Sequence, residues 1–74
     1  MFTNFKEIAE KCCESLTSGH FVLRNGETLS AMMIYRNNKS HMKPYTLAGY
    51  EYDVNGLINC DSLSPYDIVN YTEQ

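Results

Sequence analysis

The stretch His20-Phe21-Val22-Leu23-Arg24-Asn25-Gly26-Glu27-Thr28-Leu29 decides the fold. An alternating run ends at Leu23, an asparagine–glycine pair follows, and a second run begins. Asn-Gly between such runs is the strongest short-range hairpin signal, because a type I′ turn needs φ > 0 at both central residues. A second pair, Asn55-Gly56, repeats the signal inside Asp53-Val54-Asn55-Gly56. Together the two pairs predict one small antiparallel β unit over about residues 20–71.

Working outward, Phe21 and Leu23 point one way and Val22 the other. Glu27 to Arg36 reads as one strand, with Leu29, Ala31, Met33 and Tyr35 on one face. Its second face, Thr28, Ser30, Met32 and Ile34, is half apolar, so both sides are expected to be covered. A third strand is predicted over about Tyr45 to Tyr52, a fourth from Leu57 to Cys60, and a short closing strand at Ile68 to Tyr71. Pro65-Tyr66-Asp67 reads as a single helical turn capped by Ser64. Between the second and third strands, Arg36 to Lys43 is a polar, basic loop ending at Pro44.

Upstream the period changes from 2 to 3.6. Phe5, Ile8, Ala9, Cys12 and Leu16 form one apolar stripe, which predicts a helix over about residues 5–18. Asn4 and Glu7 suit a capping box, and Gly19 suits the C′ position. A lone helix of this length is marginal in water, so its stripe must pack on the β unit. The expected fold class is α+β. An N-terminal helix packs on a small antiparallel four- to five-stranded sheet or an SH3-like, partly open barrel.

Seventy-four residues make a single domain, 1–74. A chain this short buries only about 60% of the surface its unfolded form exposes, so disulfides, a metal or a partner often supplement such cores. Six basic against nine acidic side chains give a net charge of −3. That balance argues against nucleic acid as partner, whose affinity comes from neutralised phosphates, and favours a basic partner surface. The three cysteines, Cys12, Cys13 and Cys60, are odd in number and follow no secretory signal. The reading is a cytoplasmic protein with free thiols, in which the sequons at Asn38 and Asn70 carry no meaning. No apolar run approaches the length of a membrane span.

Chemistry finds little support. Cys12 and Cys13 project about 100° apart on a helix, and no C-x-x-C or H-x₃-H spacing occurs, so neither metal nor cofactor is expected. Ser40 beside His41, or Cys60 with a histidine, lacks the spatial logic of a triad. Glu51, Asp53 and Asp61 flank turns, where Asp side chains bond to backbone amides. Asp53-Val54-Asn55-Gly56 lacks the rest of a calcium loop. The expectation is a protein that is not an enzyme.

Six tyrosines and the basic loop remain. Tyrosine gives large contact area with a polar tip and is enriched at recognition surfaces. By the period-2 rule Tyr50 and Tyr52 share a face, so Tyr50, Tyr52 and Tyr66 are the exposed candidates for partner binding. Arg36, Lys39 and Lys43 join them from the loop, where function on a small scaffold usually sits.

The order Arg24-Asn25-Gly26, Tyr45-x-x-x-Gly49, Tyr52-Asp53-x-Asn55-Gly56 and Asp67-Ile68-Val69 resembles a pattern in small bacteriophage-encoded accessory proteins. Those carry an R-[DN]-G turn, a tyrosine–glycine strand, a second turn and a closing D-[LIV]-[VI] strand. The resemblance covers about residues 20–71; the helix lies outside it, and the tryptophan of the later strand is missing here. It implies a phage protein in the host bacterial cell that binds and blocks a host protein, including antiviral-defence components such as CRISPR effectors. The alternative is an oligomer, a homodimer being the simplest, that sequesters a nucleotide signal between tyrosines with Arg36 or Lys39 on its phosphate. Oligomerisation is required there because a small barrel has little room for a pocket of about 300 Å³.

Overall fold

A computed structural model describes residues 4–15 and 18–73. The helix α1 spans Phe5–Glu14. It ends before Ser18 because Ser15 turns extended, and its N–H and hydroxyl both donate to the Lys11 carbonyl, at 3.1 and 3.3 Å. The predicted capping box does not form: Asn4 makes no side-chain cap bond, although its carbonyl accepts the Ile8 N–H. Phe5 and Ala9 of the predicted stripe are buried, and Ile8, Cys12 and Cys13 pack beside them. Leu16 lies outside the described residues.

Two three-stranded antiparallel sheets replace the single predicted unit. In the first, the order is β2 (Thr28–Ser30), β1 (His20–Leu23), β6 (Ile68–Thr72). In the second, it is β3 (Tyr35–Arg36), β4 (Tyr45–Leu47), β5 (Tyr50–Tyr52). The predicted strand from Glu27 to Arg36 is broken by a 3₁₀ turn at Ala31–Met33, capped where Ser30 Oγ accepts the Met32 N–H. Ala31, wholly buried, donates its N–H to the Gly19 carbonyl. The chain thus turns a corner there, pairing with β1 before it and with β4 after it.

The asparagine–glycine turns sit where predicted but are of another kind. Gly26 and Gly56 have φ of 91° and 82°, while the preceding asparagines keep negative φ. Each glycine N–H bonds the carbonyl three residues back, Leu23 or Asp53. This is the type I turn plus left-handed glycine of a three-residue hairpin loop. The two-residue turn with positive φ at both positions is Ala48-Gly49 instead, which splits the predicted third strand into β4 and β5.

The barrel does not close. Leu57 to Cys60, the predicted fourth strand, is irregular because side chains take its neighbourhood's amides. Asp67 Oδ1 accepts the Ile58 N–H at 3.0 Å, and Asn59 Oδ1 accepts that of Asp61. Asp67 is wholly buried; its Oδ2 accepts from Ser64 N–H at 2.9 Å and from Arg24 at 3.2 Å. A buried carboxylate is tolerated only when paired and hydrogen-bonded in this way. β6, an edge strand, has amides satisfied off the ladder: Ile68 by the Gly56 carbonyl, Tyr71 by Asn70 Oδ1. Such capping blunts an edge against further strand addition.

Phe5 joins the two sheets. Its ring lies 5.7 Å from Phe21 of the first sheet, and 5.6 and 6.5 Å from Tyr45 and Tyr52 of the second. A second tie is polar. Glu10 accepts hydrogen bonds from the Tyr45 hydroxyl and the Arg36 guanidinium, fastening β3 and β4 to the helix.

Candidate functional site

The pairing register of the second sheet aligns Tyr35, Thr46 and Glu51 on one face. Beside that face the loop 37–44 is closed by one residue, Asn37. Its N–H donates to the Pro44 carbonyl at 2.7 Å, and its Nδ2 donates to Lys43 O at 3.1 Å and Glu51 Oε2 at 2.7 Å. Its Oδ1 accepts the Lys39 N–H, and Ser40 Oγ accepts the Lys43 N–H, both at 3.1 Å. The loop is therefore held in shape by asparagine and serine rather than by apolar packing.

Between loop and sheet runs an open groove of about 650 Å³, lined in part by Tyr35, Lys39, Lys43, Thr46, Tyr50 and Glu51. Arg36 also lines it. The sequence-predicted residues Arg36, Lys39, Lys43 and Tyr50 thus converge. Tyr66, 39% exposed, stacks on Tyr50 with ring centroids 5.0 Å apart and 15° between planes, extending the aromatic surface.

Tyr52 is a correction. It is 0% exposed, donates its hydroxyl to the Tyr66 carbonyl at 2.7 Å, and belongs to the core. Burial, then the neighbouring Tyr50 and Asp67, push its phenol above the usual range. Tyr50 and Tyr52 do share one strand face, the inward one of Tyr45 and Leu47; Tyr50, half-buried against the core at the end of the strand, also lines the groove. Arg36 is also more committed than expected, since its guanidinium is shared between Glu10 and, at 3.5 Å, Glu14.

Sequence reasoning missed Tyr35, 58% exposed, and the loop-closing Asn37. The available signal was the position of Tyr35 beside the basic loop. Placing it on the same strand face as Ala31 hid it, because the 3₁₀ turn resets the alternation.

Other candidates take structural places. Asp53 Oδ1 accepts the N–H groups of Asn55 and Leu57 at 2.8 and 3.0 Å, as turn chemistry requires. All three cysteines are free. Desolvation raises the Cys12 and Cys13 thiols, which keeps them protonated and poorly nucleophilic. Among the described residues no three His, Cys, Asp or Glu side chains group to hold a metal, and no helix is long and apolar enough to cross a membrane.

Neither a family model, nor a curated protein, nor a solved structure matches the chain. The likeness to phage accessory proteins therefore rests on its turn and strand motifs alone.

Proposed function

We propose that this is a non-enzymatic recognition protein that binds a partner protein through the groove face. One observation carries the reading: Lys39 and Lys43 converge with Tyr35 and Tyr50 in one open groove, on a chain whose net charge is −3. Tyrosine is enriched at recognition surfaces, and charged groups at the margin of such a surface steer the partner and fix its register. In its particular form, suggested by the phage-like motifs, the protein acts in a bacterial cytoplasm and blocks a host protein, an antiviral-defence component such as a CRISPR effector being the expected class.

A pull-down from bacterial lysate at physiological salt tests this. The expected result is one dominant protein recovered by the natural chain and lost with Tyr35→Ala/Tyr50→Ala. No recovery across a range of hosts, or recovery unchanged in the variant, counts against it. The nucleotide-sequestering alternative draws support from the groove volume, which exceeds the minimum of about 300 Å³ for a ligand pocket without any oligomer. A thermal shift with a nucleotide, absent with protein partners, favours that alternative.

A further inference from the structure

Of the groove's charged residues, Arg36 is neutralised by Glu10, and Glu51 is held by Asn37 Nδ2 at 2.7 Å. Lys39 and Lys43 make no ion pair among the described residues. Two such lysines thus line a groove that holds one carboxylate. The neutral amide of Asn37 does not cancel that carboxylate's charge, and the uncompensated charge of the lining is still net positive. The complement of the two lysines is anionic oxygen, so the local charge of the groove selects the reverse of the basic partner surface that the net charge of −3 favours. Tyr35, 58% exposed, adds aromatic surface to the same groove.

Shape and charge together select the occupant. A small ligand needs about 70–90% of its surface buried, and this groove lies open. A nucleic acid needs many phosphate contacts, and two free lysines on an acidic chain supply few. A second copy docking symmetrically would bring the same basic loop of both chains into one interface, where like charges oppose. We propose that the groove takes an acidic, extended segment of the partner protein. Carboxylates of that segment bind Lys39 and Lys43, and an aliphatic side chain between them packs on Tyr35. This rests on the partner-binding reading above and names the chemistry of its partner.

The test is a fluorescence-anisotropy titration with a labelled peptide alternating glutamate and leucine, its glutamine counterpart and a thymidine oligonucleotide. Natural chain, Lys39→Gln/Lys43→Gln and Tyr35→Ala are compared, with folding of each verified by its melting temperature. The acidic peptide is expected to bind best, to weaken about tenfold or more in the double lysine variant, and to weaken as salt rises. Equal binding of the acidic and glutamine peptides overturns the inference, as does tighter binding of the oligonucleotide or indifference to the lysine changes. If the glutamine peptide binds equally and Tyr35→Ala abolishes it, the acidic-segment inference falls while the groove remains a protein-binding site. If no peptide binds and the pull-down is also empty, both readings fall.

Discussion

Ala48 carries the least comfortable backbone among the described residues, with φ of 53° and a Cβ. The left-handed region costs an alanine about 1–2 kcal/mol, and asparagine tolerates it better through local hydrogen bonding. The turn it forms with Gly49, φ 87°, is the primed type that matches strand twist, so the hairpin keeps the strain for its geometry. Ala48→Asn is expected to raise stability by about 0.5–1 kcal/mol, seen as a rise in the denaturation midpoint at unchanged slope. No change or a loss would mean that the turn relaxes in solution. Gly19 shows the opposite constraint, one of space: a Cβ there would overlap the Tyr71 ring and hydroxyl. Its glycine reads as a helix cap in the sequence and proves to be a seat for a ring.

The polar tie between the helix and the second sheet runs through one carboxylate. Hydrogen bonds from Arg36 and then Tyr45 hold the Glu10 carboxyl below its ordinary value of 4.5. A carboxyl lowered on folding contributes its stability in full above the unfolded value, and that contribution is lost as pH falls through the folded one. Tyr45 behaves in the opposite sense, since burial and its bond to Glu10 raise the phenol above 10.0. Its contribution is full below pH about 10 and is lost as pH rises beyond. Urea midpoints measured against pH are expected to fall at both ends, and Glu10→Gln is expected to flatten the acid limb. Glu10 is partly exposed, so salt should weaken the effect. An acid limb unchanged in the variant would assign it to other carboxylates.

At the scale of the whole molecule, a recognition face and a core compete for the same residue type. Tyr45 and Tyr52 fill the space around Phe5, while Tyr35, Tyr50 and Tyr66 face the groove and its margin. The consequence is a separation of effects. Tyr52→Ala removes a large buried ring, costing about 3–5 kcal/mol, against a total stability of roughly 4–11 kcal/mol for a chain of this length. Tyr35→Ala touches an exposed ring and is expected to stay within about 0.5 kcal/mol. Urea denaturation of the two variants distinguishes them; a comparable loss in both would place Tyr35 in the core. The pair Tyr50→Ala/Tyr52→Ala, informative if both rings were exposed, would report mainly on folding.

The helical stripe from Phe5 to Cys12, the positions of both asparagine–glycine turns and the polar loop before Pro44 were legible in the chain itself. Each depends on periodicity or on the φ preference of single residues, and both are local. Other features needed the tertiary structure: the break at Ala31–Met33, the open barrel, the burial of Tyr52 and the exposure of Tyr35. These are decided by contacts between residues far apart in sequence, such as Asp67 with Ile58 and Arg24, Ala31 with Gly19, and Glu10 with Tyr45. A side chain's face follows from strand alternation only while the strand continues, and what stops it here is a partner elsewhere in the fold.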